Sequence, residues 1–256
     1  MSRKPVCLVL GAGAGIGGHV GKRFAAGGYH AVLVRRSDEE GLGRLVKAIE
    51  DAGGEATGRM LNAVEDGAIE DLVIHVERDI GPIEVALFNL GAQFGNRTLE
   101  ETPNKLFELG WRMTSFALFR LAKTIAPIMA KRGGGKILVT SATSAMRGNA
   151  GQHAHAAAIG GRRLLCQSLN AELSVKGIHI CHIYIDAAIE APDTLGRLLG
   201  PELFKKLLEE KGGGKDELVI PEKVAETYWH IAHQHRSAWS HEVDIRPHSE
   251  QPWWNN

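Results

Sequence analysis

The sequence predicts a single α/β domain whose central, doubly wound parallel sheet of about seven strands is flanked by helices. Short and almost continuously apolar segments recur along the 256 residues, as is typical of parallel strands covered on both faces. Segments of helical periodicity separate them, and repeated strand–helix units imply right-handed crossovers. No repeat or Pro/Ser-rich linker interrupts the pattern, so one domain over residues 1–256 is expected.

The elements alternate regularly up to residue 186, each strand being an apolar run and most helices ending in glycine or a basic turn. The predicted strands cover 6–11, 30–36, 55–61, 83–91, 135–141, 177–186 and 239–247. The predicted helices cover 15–27, 38–54, 64–81, 104–132, 152–176 and 221–236. Pro221 stands at the first position of the last helix, where its missing N–H is tolerated.

Residues 190–221 break this rhythm and contain one or two helices between Pro and Gly. We interpret this segment as a possible substrate lid, with a surface helix pair as the alternative. The chain then closes on an aromatic tail, HSEQPWWNN. Trp253 and Trp254 are costly to leave in water, so we expect them to pack on the body or on a partner subunit.

The composition excludes several classes of function. Lys plus Arg equals Asp plus Glu at 30 each, which argues against a nucleic-acid or membrane partner attracted by bulk charge. No segment reaches the roughly 18 apolar residues that span a bilayer. Cys7, Cys166 and Cys181 lack paired spacing, so a reducing cytoplasm is expected. Cys7 and Cys181 lie in apolar runs and are expected to be small buried apolar groups.

A glycine-rich loop follows the first strand in the segment LVLGAGAGIGG. Glycines permit a tight turn and a close approach of the backbone to a pyrophosphate, which the helix N-terminus then attracts. The glycines fit GxxxGxG at 11, 15 and 17 and also GxGxxG at 13, 15 and 18, so the register stays open. The loop predicts dinucleotide binding, the alternative being a turn kept for packing. The candidate residues are Gly11, Gly13, Ala14, Gly15, Ile16 and Gly17.

The second strand ends in VLVRRSDEE. An acidic residue here would bind the ribose 2′-hydroxyl of NAD, but Arg35 and Arg36 occupy the place. Two guanidinium groups suit the 2′-phosphate of NADP, so NADP is predicted and NAD is less favoured. The alternative is a solvated pair, one of them bonded to a carboxylate such as Asp38.

With these motifs, the chain resembles the short-chain dehydrogenase/reductase family over nearly its whole length. GAGAGIG is similar to the family's glycine loop, LFNLGA at 87–92 to its NNAG segment, and GGKILVTS…HAHAAAIGG to its active strand and helix. The resemblance implies a Rossmann fold and hydride transfer between a nicotinamide cofactor and a carbonyl or alcohol. It also implies cofactor contacts after the third and fourth strands. These would come from Asn62, Ala63, Asn89, Leu90 and Gly91.

The residues that carry the family's reaction are a Tyr, a Lys one turn later, a Ser and an Asn. By the family's spacing, His155 stands at the Tyr position and Ile159 at the Lys position. Ala142 stands at the Ser position with Ser141 beside it, and Thr114 replaces the Asn. The chain is thus an atypical member by resemblance, lacking the usual four residues.

Two functional hypotheses follow. In the first, the protein is an NADP-dependent oxidoreductase whose acid/base is His155, since a histidine has an ordinary pKa near 6.5 and needs no lysine to tune it. Ser141 would then polarise the carbonyl, with Thr143 or Ser144 as the alternatives, and Thr114 would take the place of the Asn. In the second, the protein is an inactive NADP(H)-binding pseudoenzyme or sensor. A third alternative is a structural subunit that binds no nucleotide. The substrate cannot be read from the residues.

No metal site is predicted, because His153 and His155 point in different directions on a helix and lack further ligands. The resemblance also implies a homodimer or homotetramer built on the two helices at 104–132 and 152–176. Phe116, Phe119, Leu165 and Leu169 would then face a partner, or else only the chain's own sheet.

Overall fold

Seven parallel strands form one sheet in the computed structural model, which describes residues 3–91, 94–212 and 214–255 (193 and 194 by backbone only). The strands are β1 Val6–Leu10, β2 His30–Arg35, β3 Glu55–Met60, β4 Ile83–Phe88, β5 Gly135–Ala142, β6 Ile178–Ile185 and β7 Glu242–Ile245. Their order in the sheet is β3-β2-β1-β4-β5-β6-β7. The direction of progression reverses at β1/β4, which places a ligand crevice at the carboxyl ends there. The predicted fold class is confirmed.

Helices cover both faces of the sheet. The described α-helices are α1 Ile16–Ala26, α2 Glu39–Asp51, α3 Ala68–His75, α4 Asn104–Trp111, α5 Ala117–Lys131, α6 His153–Leu173, α7 Arg197–Leu199, α8 Pro201–Lys211 and α9 Pro221–Ala232. Within the described ranges, no helix is long and apolar enough to cross a bilayer.

The hydrophobic core lies in two layers, one on each side of the sheet. One layer packs α3, α5 and α6 onto side chains such as Leu8 and Val139, and the other packs α1, α2 and α9 onto alternating neighbours such as Val9 and Leu138. Successive strand residues point to opposite faces, so nearly every strand position is apolar. Cys7 and Cys181 are buried thiols, as predicted, and Cys166 is buried as well.

The long helix predicted at 104–132 is interrupted, which the periodicity did not indicate. Residues 112–116 form a π-helical turn between α4 and α5. Its hydroxyl groups turn toward α6, where the Ser115 Oγ donates to the Ala158 carbonyl at 2.8 Å. The prediction for the last helix was also too long, because α9 ends at Ala232 rather than at 236.

His182 is a fully buried histidine of β6, and neither ring nitrogen has a hydrogen-bond partner among the described residues. Burial lowers its pKa to about 4, whereas the unfolded chain binds a proton with the ordinary value of 6.5. The neutral His182 ring therefore contributes its full stabilisation above the pKa of the unfolded chain. This contribution is lost as the pH falls toward the lower pKa of the folded protein. When the pH is lowered from about 7.5 to about 5, the free energy of unfolding should fall less in His182→Phe than in the unsubstituted protein. The expected difference is of the order of 2 kcal/mol.

Urea unfolding at the two pH values measures this effect, with the exposed His230→Phe as the matched control. Identical pH dependence in the His182→Phe variant and the unsubstituted protein would contradict the assignment.

Candidate functional site

The glycine loop turns sharply out of β1 and is fixed by backbone contacts. The Gly11 and Ala12 N–H groups both donate to the Val34 carbonyl at 2.9 Å, which ties the loop to β2. Gly11 has a φ of +97°, and a Cβ built there would lie 2.7 Å from the Asn89 carbonyl oxygen. Only glycine meets both conditions without strain.

Helix α1 packs directly onto this loop through two further glycines. A Cβ on Gly17 would lie 2.2 Å from the Gly11 carbonyl oxygen, and one on Gly18 would lie 2.2 Å from that of Gly13. Both glycine registers read from the sequence therefore have close packing partners. Gly18 belongs to the packed loop although it was not among the candidate residues.

The N-terminus of α1 is open to an anion. Its N-cap is Gly15, no side chain caps it, and its first turn holds no acidic residue. Uncapped N–H groups and the positive end of the helix dipole form an anion-binding position. Ile16 is buried beneath it, and Ala14 is exposed at the loop surface. The loop, helix end and glycine spacing fit a pyrophosphate.

The two arginines at the carboxyl end of β2, Arg35 and Arg36, have different environments. Arg35 is largely buried, and its Nη2 lies 2.9 Å from the Asp38 Oδ2. Asp38 in turn caps α2, because its Oδ1 accepts from the Gly41 N–H at 2.9 Å. That backbone bond, followed by the charge of Arg35, lowers the pKa of Asp38. Arg36 is exposed and has no partner within the described residues, so it can reach a phosphate without breaking an ion pair.

The residues after β3 lie at the carboxyl edge of the sheet, beside the loop that follows β2. The Asn62 Nδ2 donates to the Glu65 Oε1 at 3.1 Å. The Ala63 carbonyl accepts from the Nη1 of Arg120 at 3.1 Å, and Arg120 forms a bidentate pair with Glu70. Arg120 was missed in the sequence, since an arginine within an otherwise apolar helix gave no indication of its partner.

The segment after β4 closes against the glycine loop. The Asn89 Nδ2 donates to the Gly11 carbonyl at 2.9 Å, and the Leu90 carbonyl accepts from the Nη2 of Arg162 at 2.5 Å. A Cβ on Gly91 would meet nothing within 4 Å, so the backbone here borders open space. The structure thus brings Asn89 and the glycine loop together. Ala92, the last residue of the LFNLGA motif, lies outside the described residues.

His155 lies in the first turn of α6 and is partly buried. Together with the segment around Phe94 and Leu106 it lines a narrow cleft. Ile159, one turn further along α6, is 2% exposed and belongs to the apolar interior. Two histidines of α6, His153 and His155, therefore line the cleft, and no amine stands one turn after His155.

Ser141 and Thr114 have contrasting surroundings. Ser141, near the end of β5, is 7% exposed, and its hydroxyl has no hydrogen-bond partner among the described residues. Thr114 is fully buried, and its hydroxyl donates to the Gly110 carbonyl at 2.8 Å while lying 3.2 Å from that of Ala158. Ser141 thus retains hydrogen-bonding capacity, whereas the Thr114 hydroxyl joins α6 to the π turn and cannot contact a substrate directly.

The aromatic tail folds back onto the carboxyl end of β6. The buried Asp186 carboxylate accepts from the backbone N–H of Trp253 at 2.9 Å and pairs with the Nη1 of Arg246 at 3.2 Å. The Nη1 of Arg147 donates to the Trp253 carbonyl at 2.9 Å. The tail packs on the body, as predicted for Trp253, while Trp254 lies beneath the Arg246 guanidinium. Asp186 was missed because its partner is 67 residues away.

The excursion after β6 lies beside the glycine loop. A Cβ on Gly15 would lie 3.1 Å from the Cβ of Ala191, and Arg197 of α7 approaches Asp38 at 3.9 Å. Within the described ranges, no group of three or more His, Cys, Asp or Glu side chains could hold a metal ion.

The chain belongs to the short-chain dehydrogenase family, because the family model described as short chain dehydrogenase matches residues 5–188. The fold and family define an oxidoreductase of the short-chain type.

Among curated relatives, the 7alpha-hydroxysteroid dehydrogenase of Escherichia coli (strain K12) is 25% identical over 202 residues, covering 79% of this chain and 77% of that protein. Among solved structures, a short-chain dehydrogenase from Rhodopseudomonas palustris is 33% identical with a TM-score of 0.79, covering 96% of this chain and 100% of that one. A variant of actinorhodin polyketide ketoreductase, solved with NADPH, is 24% identical with a TM-score of 0.83 over 96% of this chain and 98% of that one.

Proposed function

We propose that the protein is an NADP(H)-dependent oxidoreductase that reduces a carbonyl compound, with His155 rather than a tyrosine as its acid/base residue. The observation that carries the proposal is the glycine loop closed on Asn89 at 2.9 Å, beside an uncapped α1. Such a loop binds the pyrophosphate, and the exposed Arg36 beyond β2 recognises the 2′-phosphate. Arg35 supports that recognition, because its ion pair offsets the negative charge of the Asp38 carboxylate.

The cofactor, when bound, supplies the hydride. The chain supplies the proton: the His155 imidazolium donates to the carbonyl oxygen and is reprotonated by solvent. The Ser141 hydroxyl, which has no other partner within the described residues, donates a hydrogen bond to the same oxygen and polarises it. Thr114 takes part only as a structural link, since its hydroxyl already donates to the Gly110 carbonyl at 2.8 Å.

The proposed role of His155 is tested by following NADPH oxidation with a panel of aliphatic, aromatic and steroid ketones. His155→Ala should lower turnover by about 10²–10⁴-fold, the usual contribution of a general acid. His230→Ala, an exposed histidine of α9, is the matched control and should leave turnover unchanged. Unchanged turnover in His155→Ala would refute this role.

A second candidate function is a non-catalytic NADP(H)-binding protein. The specific observation in its favour is Ile159, which is buried where the family resemblance places the lysine that binds the nicotinamide ribose. In that case the nucleotide would bind, but no ketone would oxidise NADPH at a measurable rate. Any turnover that depends on His155 would exclude it.

The cofactor preference gives a separate expectation. Arg36→Ala should weaken NADPH binding by about 10–100-fold, because it removes a charge-assisted contact to the 2′-phosphate. NADH binding should change less than twofold, since that cofactor lacks the phosphate. Calorimetric titration of both cofactors measures this, with exposed Arg44→Ala on α2 as the control. Equal losses for the two cofactors would exclude Arg36 as the reader of the phosphate.

We also propose that a second copy of the chain covers a row of aromatic rings that runs from the end of α4 across the π turn into α5. Trp111, Phe116 and Phe119 stack with centroids 5.1 Å and 6.4 Å apart, and Trp111 and Phe119 are 47% and 43% exposed. Leu165 and Leu169, also expected there, pack partly against the chain's own core. An exposed aromatic row of this kind is typical of an interface.

Phe119→Glu should therefore shift the assembly toward monomers in sedimentation velocity, whereas Val175→Glu, an exposed apolar position away from that row, should not. A monomeric unsubstituted protein at micromolar concentration would contradict this proposal.

A further inference from the structure

Arg162 of α6 is an arginine enclosed in the interior of the protein. It is 1% exposed, its Nη1 donates to the Thr140 carbonyl at 2.6 Å, and its Nη2 donates to the Leu90 carbonyl at 2.5 Å. The guanidinium carbon lies 5.1 Å from the centroid of the Phe88 ring. These contacts fix the guanidinium group at the carboxyl ends of β4 and β5.

The charge of Arg162 is not balanced by any described carboxylate. None of the ion pairs within the described ranges includes it, and its Nε is buried without a hydrogen-bond partner. Burial lowers its pKa to about 10, so the group is still protonated at neutral pH. A buried cation without a counter-ion is costly, and carbonyl dipoles and an aromatic face offset that cost only in part.

Arg162 lies on the side of the sheet that is assigned to the nicotinamide half of the proposed cofactor. In a doubly wound sheet the dinucleotide lies across the carboxyl ends of the strands, with one nucleotide on each side of the switch point. The glycine loop follows β1 and the two arginines lie at the carboxyl end of β2, which assigns the adenosine half to the β1–β3 side. The nicotinamide half is then assigned to the β4–β6 side, where Arg162 lies beneath the surface.

We propose that Arg162 makes the site select the redox state of the cofactor, favouring the reduced form over the oxidised one. The oxidised nicotinamide ring carries a positive charge and the reduced ring is neutral, so a fixed buried cation disfavours only the oxidised form. Attraction between Arg162 and the phosphates is the same in both forms and cancels when their affinities are compared. This inference rests on the proposed function and adds to it a tighter binding of NADPH than of NADP⁺.

The size of the effect follows from simple electrostatics. Two unit charges roughly 12 Å apart, in a medium with an effective permittivity of about 20, change a binding constant about tenfold. Because the guanidinium is enclosed, added salt should screen this preference weakly. Arg162 is a positioning residue, because it does not touch the cofactor. It acts through its charge and through the Thr140 and Leu90 carbonyl groups to which it donates.

The experiment compares the dissociation constants of NADP⁺ and NADPH by calorimetric titration at neutral pH. The unsubstituted protein should bind NADPH at least about tenfold more tightly than NADP⁺. Arg162→Met removes the charge but keeps much of the volume, and it should bring the ratio of the two constants close to one. Arg162→Lys keeps the charge and should preserve most of the ratio, whatever it does to either affinity alone.

A ratio near one in the unsubstituted protein would overturn the inference even if the Arg162→Met variant fails to fold. An Arg162→Met variant that binds both forms with the original ratio would also overturn it. If neither form binds to the unsubstituted protein, the proposed function fails as well, which distinguishes that outcome from a failure of the Arg162 inference alone.

Discussion

Gly17→Ala is expected to abolish nucleotide binding, with at least a hundredfold loss of NADPH affinity, and to lower the free energy of unfolding by about 3 kcal/mol. The new Cβ would lie 2.2 Å from the Gly11 carbonyl oxygen and 2.9 Å from the Asn89 Nδ2. The nearer atom belongs to the backbone, so it cannot move away as a side chain could. Helix α1 would have to shift away from the loop, and the anion-binding N–H groups would move with it.

The matched control for this substitution is Gly43→Ala in α2. A Cβ on Gly43 would meet nothing within 4 Å, and the residue lies in a helix interior. There the change should stabilise the protein by about 0.5–1 kcal/mol and leave NADPH binding intact. Titration with NADPH and urea unfolding of both variants give the comparison. If Gly17→Ala retained normal affinity, the loop would not be the cofactor site.

Arg120→Met is expected to be the most destabilising substitution of a charged side chain. Arg120 is 6% exposed and joins α5 to α3 through Glu70 and to the loop after β3 through the Ala63 carbonyl. Removing it should lower the free energy of unfolding by about 3 kcal/mol, because a partly buried carboxylate and a carbonyl lose their partner. NADPH binding should weaken too if Ala63 contacts the adenosine half, as the proposed function requires.

A double variant tests the origin of this loss. Arg120→Met with Glu70→Leu removes the unpaired carboxylate as well and should recover more than half of the lost stability. The hydrogen bond from Arg120 is the main cause that lowers the pKa of Glu70. The ion pair therefore contributes fully to the stability of the fold above the ordinary carboxyl pKa. This contribution is lost as the pH falls through the lowered pKa of Glu70.

Arg44→Met is the control for the loss of unfolding free energy expected from Arg120→Met. Arg44 is 72% exposed beside Glu40 at 3.7 Å, and its substitution should have little effect. A loss from Arg120→Met as small as that from Arg44→Met would contradict the assignment.

The strands, most helices and the glycine loop could be predicted from the sequence because they depend on local periodicity and on glycine spacing. The π turn at 112–116 could not, since it depends on hydroxyl bonds from Ser115 and Thr114 to carbonyls, among them that of Ala158 on a separate helix. Family spacing drew attention to Thr114, but only the packing reveals that its hydroxyl is enclosed.

Long-range electrostatic contacts were the other features that the sequence did not reveal. Asp186 and Trp253 are far apart in the chain, and Arg162 resembles any helical arginine until its burial is known. For Arg35, the sequence left open a phosphate contact or an ion pair with Asp38. The structure contains the ion pair at 2.9 Å, which leaves Arg36 as the more accessible guanidinium for a phosphate.

The most direct test of the central claim is calorimetric titration of the unsubstituted protein with NADPH and, in parallel, with NADH. The account predicts one NADPH per chain, bound at least about tenfold more tightly than NADH, since Arg36 contacts the 2′-phosphate. Binding of neither cofactor would contradict the account. It would mean that the closed glycine loop and the uncapped α1 serve only the packing of the fold.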